Sequence, residues 1–187
     1  MAGIRVLVVI VLAAVAVAAL FLFGGYYNIA GDAPHGDLTT ALLTQIRSRS
    51  VAAQAAGIAV PADLGDPKRV AAGAAEYAEM CSQCHLAPGM ERTEISQGLY
   101  PAAPELARDD GLTPAQQFWV VKHGIKFTAM PAWGKTHDDP LLWNIVAFVR
   151  KLPGLSPAQY KNMVANAPQE HDELMHGMEM PKEPDHH

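Results

Sequence analysis

Cys81-Ser82-Gln83-Cys84-His85 is the stretch of this chain best equipped to do chemistry. Its two cysteines are the only ones in 187 residues, and a histidine follows the second directly. Cys-x-x-Cys-His is the attachment signature of c-type haem. Each thiol can add to one vinyl group and form a thioether. The adjacent imidazole then lies under the iron as its proximal ligand. A bare Cys-x-x-Cys also serves as a redox dithiol or as half of a zinc site. A zinc site needs further ligands, and a second cysteine pair is missing; the histidine in fifth position favours haem over both.

The second axial position separates a carrier from a catalyst. Carriers fill both positions, whereas catalysts and gas sensors leave one open. Met130, within Gly124-Ile125…Met130-Pro131-Ala132-Trp133, is the leading ligand. A thioether is a soft ligand that favours ferrous iron and raises the potential. Pro131 restricts the backbone beside it. His123 and His137 flank this segment and offer bis-histidine ligation instead, while Met90 lies only five residues beyond His85. Core packing is the ordinary role of any lone methionine.

These residues must be positioned by helices, because no alternating strand pattern of useful length is present. Pro67 opens a helix that runs to about Cys81, with Val70, Gly73, Ala74 and Tyr77 on its packing face. Glycine costs about 1 kcal/mol relative to alanine inside a helix. Gly73 therefore points to a close helix crossing. The natural partner is the helix Pro140 to Lys151, where Leu142, Ile145, Val146 and Val149 make an i, i+3, i+4, i+7 stripe. Asp139 is its expected N-cap, and Pro153-Gly154 stops it. Thr113-Pro114-Ala115-Gln116 is a capping-box pattern for a helix to Lys122 or His123 that turns Phe118 and Val121 inward, with Gly124 as its stop. Ser156-Pro157-Ala158-Gln159 repeats that logic for a short helix to about Ala165. Pro101-Ala102-Ala103-Pro104 is a rigid apolar loop suited to a haem face. Asp37 is the expected cap of an earlier helix, in which Leu38, Leu42 and Ile46 form one apolar face. That helix could lie on a membrane or on the haem domain.

Taken together, these motifs resemble a mono-haem class I c-type cytochrome over about Pro67 to Leu152. The resemblance implies a small all-α fold whose two terminal helices cross near the haem edge. It also implies one covalent haem c on Cys81 and Cys84, His85/Met130 ligation of the iron, and one-electron transfer rather than catalysis. Residues 1–66 and 154–187 lie outside what the family explains.

The N-terminus carries the second strong signal. Val6 to Phe23 is a run of 18 apolar residues, and no charge follows Arg5 until Asp32. As a helix the run spans about 27 Å, close to the bilayer core. A cleaved signal peptide competes with this reading. However, Leu20-Phe21-Leu22-Phe23 prolongs the apolar run beyond the small residues and favours a retained anchor. Tyr26 and Tyr27 are expected at the far interface, and Arg5 keeps the N-terminus in the cytoplasm. The expected setting is therefore the inner membrane, spanned once through residues 6–23, with the haem domain in the periplasm. The chain then divides into an anchor (1–30), an amphipathic helix and linker (31–66), the haem domain (67–153), and a short helix with an acidic tail (154–187).

Net charge is −5, and the stretch from Asn166 onward accounts for all of it. No basic stripe suggests nucleic acid, and no catalytic triad, paired-carboxylate or phosphate-loop pattern suggests other catalysis. The tail holds His171, Met175, His176, Met178, Met180, His186 and His187. Its charge and proline content fit a disordered segment. A Cu(I) site on these thioethers and imidazoles is the competing reading. Three functions follow. The first is a tethered carrier exchanging electrons with membrane-bound redox proteins. The second is a fixed cytochrome subunit of a dehydrogenase or oxidase complex, favoured by an exposed apolar patch away from the haem. The third is an enzyme or gas sensor with an open iron.

Overall fold

The computed structural model describes residues 2–168 apart from Tyr27 and Asp109; the Met/His-rich tail lies outside the described residues, as does Tyr27. The chain forms two units, Met1–His35 and Gly36–His187. The first contains α1, Ala2–Phe23. Its 22 residues have a mean hydropathy of 3.3 over the best window and none is buried. At 1.5 Å per residue it is about 33 Å long, enough to cross a bilayer. Tyr26 beyond it is exposed.

The second unit contains α2 (Asp37–Ala55), α3 (Pro67–Met80), α4 (Ser82–His85), α5 (Glu94–Gly98), α6 (Pro114–His123), α7 (Asp139–Lys151) and α8 (Pro157–Ala165). Short 3₁₀ turns occupy Trp133–Lys135 and Leu152–Gly154. No strand occurs among the described residues, so the fold is all-α.

Crossed helices α3 and α7 are its frame. Val70 to Tyr77 faces inward as the spacing requires, and Leu142, Ile145, Val146 and Phe148 are fully buried against it. Gly73 sits at the crossing. A β-carbon there would lie 2.5 Å from the carbonyl carbon of Asn144 and 3.0 Å from Cβ of Phe148, and closer still to the Asn144 oxygen. The helices could not approach this closely with any side chain at position 73. Phe118 of α6 stacks on Trp143 of α7, with ring centroids 4.1 Å apart. Helix α8 extends the same core, with Tyr160 buried near Phe148.

Helix ends follow local chemistry with two corrections. Both capping boxes form. Gln116 N–H donates to Thr113 Oγ1 at 3.3 Å and Thr113 N–H to Gln116 Oε1 at 2.9 Å. Ser156 and Gln159 do the same. The N-cap of α7, however, is Asp138, not Asp139: its extended backbone lets Oδ1 accept from Leu141 N–H at 3.0 Å. Asp139 falls in the first turn, where negative charge is favourable, and pairs with Lys122 at 2.6 Å. Asp37 likewise does not cap α2; it is the first helical residue, and Gly36 takes the cap position without a side-chain bond.

Helix α2 also packs with a face other than the obvious one. Leu38, Leu42 and Ile46 are 74%, 54% and 63% exposed, whereas Val51 and Ala55 are buried. Leu43, Arg47, Val51 and Ala55, four residues apart, share one face. That face lies roughly opposite the Leu38–Leu42–Ile46 stripe at 100° per residue. The smaller, mixed face meets the domain, next to α6, and the larger apolar stripe is left outside.

Candidate functional site

The two cysteines follow directly from the core helix. Cys81 caps the end of α3, its N–H donating to Tyr77 O at 3.0 Å. Helix α4 then makes one tight turn, with His85 N–H donating to Cys81 O at 2.9 Å. Buried Tyr77 fixes the exit from this turn by donating its hydroxyl to Leu86 O at 2.5 Å. Leu86 itself adopts φ +58°, which a branched residue accepts only when its surroundings impose it. Thr93 adds an anchor by donating to Gln83 O at 2.5 Å.

Both cysteines are unpaired thiols, Cys81 buried and Cys84 half-buried. Burial pushes the Cys81 thiol up to about 12, with Glu76 and Cys84 adding to the shift. The Cys81 thiol is therefore not activated as a low-pKa nucleophile.

His85 is held by the loop that follows. Its Nδ1 lies 2.9 Å from Pro104 O. A carbonyl can only accept, so Nδ1 carries the proton. Burial lowers the imidazole pKa, against smaller opposing effects of the Pro104 bond and Asp110. A neutral ring protonated on Nδ1 presents its Nε2 lone pair as a metal ligand, the arrangement in which a backbone carbonyl orients a ligating histidine. Leu106 N–H donates back to His85 O at 3.3 Å, so the apolar loop is tied to this turn at two points.

Met130 is placed by a separate short loop. Ile125 N–H donates to Met130 O at 3.3 Å and closes it. Thr128 braces the inside: its hydroxyl donates to Ile125 O at 2.8 Å and accepts from Met130 N–H at 3.1 Å. Gly124, with φ +65°, ends α6 against this loop, where a β-carbon would lie 2.6 Å from Met130 O and 2.8 Å from Pro131 O. Glycine is required there on both counts. Phe127 at the loop tip adopts φ +61° and is 82% exposed.

Cys81, Cys84, His85 and Met130 all line one cleft. Pro101 to Pro104 and Trp133 supply much of its wall. Both thiols, a neutral imidazole and a thioether, set in apolar walls, fit a covalently attached haem. His123, His137 and Met90 are not among the residues lining it. His123 packs on Trp119 and His137 on Trp133, while Met90 packs on the core. Sequence reasoning missed Met80, Leu99, Thr128 and Arg47 in the lining. Leu99 and Arg47 belong to no motif, whereas Met80 adjoins Cys81 and Thr128 lies two residues before Met130.

No curated protein and no solved structure shows a significant match to this chain. Residues 68–149, a little under half of it, match the family described as cytochrome C oxidase, cbb3-type, subunit III. That segment begins in α3 and ends in α7, the crossed pair that frames the cleft. Over this segment the chain is a class I c-type cytochrome, an electron-transfer domain built on covalently bound haem c.

Proposed function

We propose that the protein is a membrane-tethered one-electron carrier in which Cys81 and Cys84 hold the haem and His85 and Met130 are its axial ligands. The observation that carries this reading is that these four residues, drawn from the α3–α4 turn and from a separate loop, line a single cleft. Bound there, the haem supplies a one-electron ferric/ferrous couple. The chain's residues do the rest. Pro104 O holds His85 in one orientation and tautomer. Thr128 and Gly124 fix the backbone that carries Met130. The apolar walls exclude water. Helix α1 anchors the protein in the inner membrane with the cytochrome domain in the periplasm, the side set by Arg5 at its leading end. Tethering confines the search for membrane-bound redox partners to two dimensions and raises their effective concentration.

A second reading has its own support. The outward stripe of Leu38, Leu42 and Ile46 is an apolar patch away from the cleft lining, as expected of a subunit seated in a membrane oxidase or dehydrogenase complex. The description of the matched family points the same way.

Absorption spectra of oxidised and reduced protein, before and after carbon monoxide, test the ligation. A low-spin spectrum barely changed by carbon monoxide, with a rapid change in Met130→Ala, is the expected pair of results. Rapid carbon monoxide binding to the unmutated protein would overturn the carrier reading in favour of an open iron. Migration as a monodisperse monomer in mild detergent extracts would argue against the fixed-subunit reading.

A further inference from the structure

Among the described residues lining the cleft, Arg47 alone carries a full charge. It comes from α2, outside the segment that matches the cytochrome family. Its direction is set by its helix: Arg47 stands on the same face as Val51 and Ala55, which are buried in the domain. Among the described residues no carboxylate pairs with it, whereas Arg69, Arg108 and Lys122 all have acidic partners. The side chain keeps access to water.

A haem brings two carboxylates with it, and apolar walls offer them little. Carboxylates leaving water need a counter-charge or hydrogen-bond donors. In this cleft the donors are few. The Thr128 hydroxyl is already committed to Ile125 O, and His85 Nδ1 to Pro104 O. Among the lining side chains, that leaves the Trp133 indole as a neutral donor and the Arg47 guanidinium as the charged one. A guanidinium matches a carboxylate with two parallel N–H donors, which an ammonium cannot do.

We infer that α2 is part of the haem site, and that Arg47 binds a haem carboxylate and supplies its counter-charge. A fixed positive charge at the cleft favours the ferrous form, because reduction adds one negative charge nearby. Arg47 thereby raises the reduction potential, and a helix beyond the cytochrome core tunes it. The inference rests on haem attachment at Cys81 and Cys84.

The test is a spectroelectrochemical titration of the full-length holoprotein, comparing wild type with Arg47→Gln and Arg47→Lys at low and high salt. Removing the charge is expected to lower the ferrous/ferric equilibrium constant at least about threefold, or about 28 mV at 59 mV per decade for a one-electron couple. Arg47→Lys should recover most of that shift. The difference between wild type and Arg47→Gln should shrink at high salt, as a solvent-accessible charge is screened. An unchanged potential in Arg47→Gln, or equal losses in both variants independent of salt, would overturn the role of Arg47 and leave haem attachment standing. A wild-type protein without the thioether haemochrome spectrum in alkaline pyridine would overturn the attachment itself, and this inference with it.

Discussion

Gly73→Ala sets two well-known effects against each other, and the structure decides which wins. By helix propensity alone, alanine should stabilise α3 by about 1 kcal/mol. At the crossing, however, the new methyl would lie 2.5 Å from the Asn144 carbonyl carbon and 3.0 Å from Cβ of Phe148. The carbonyl belongs to backbone and cannot rotate away. Relieving the carbonyl-carbon contact alone to an ordinary 3.4 Å requires α3 and α7 to separate by about 0.9 Å, and the nearer Asn144 oxygen requires more; a gap of that size forfeits at least about a quarter to a half of each dispersion contact it opens. The contacts at risk belong to Tyr77, Leu142, Ile145, Val146 and Phe148, all fully buried. Overpacking of this kind costs about 1–3 kcal/mol, and the rigidity of both partners puts it at the upper end. The net expectation is a loss of about 2 kcal/mol, or about 10 °C in Tm for a domain of this size. Thermal unfolding followed by far-ultraviolet circular dichroism and haem absorption would read it. Gly98→Ala, with nothing within 4 Å of the added carbon, is the control. A Gly73→Ala protein as stable as wild type, or more so, would refute the close crossing.

Three further outcomes follow from the same structure. Gly124→Ala puts a β-carbon against Met130 O and Pro131 O at an unfavourable φ, at a cost of about 1–3 kcal/mol; the displaced loop should let carbon monoxide bind ferrous protein faster, and an unchanged rate would detach Gly124 from the Met130 loop. Thr113→Ala removes one half of a complete capping box and should lower stability by about 1 kcal/mol, measured by urea unfolding; Thr113→Ser should restore it, and no loss in the alanine variant would show the cap to be dispensable. The Asp63 carboxyl is held below its usual 3.8 by the hydrogen bond from Arg69, so the stability it contributes is present above 3.8 and fades as pH falls through the lower folded value. The small Tm difference between wild type and Asp63→Asn should therefore be present at neutral pH and vanish in acid; a difference that persists or grows in acid would contradict the pairing.

What was legible in the sequence is what short-range chemistry dictates. The Cys81-Ser82-Gln83-Cys84-His85 spacing, both capping boxes, the stripe of α7 and the apolar length of α1 each depend on residues a few positions apart. Local sterics and hydrogen bonding act over that range. The Gly73 crossing was legible too, because an uncompensated glycine inside a helix implies a neighbour. Tertiary structure alone decided where periodicity was ambiguous or partners were remote. Helix α2 shows this most plainly. Leu38, Leu42 and Ile46 form its stronger apolar stripe, yet Val51 and Ala55 are buried instead. Amphipathic spacing reports that a face is apolar and not what covers it, and here the opposite face is the one placed against the domain, beside α6. Arg47 enters the cleft lining only through that choice. The same holds for Pro104, which is 19 residues from the imidazole it orients. No local pattern encodes such a contact; it exists only once the chain beyond α5 folds back onto α4.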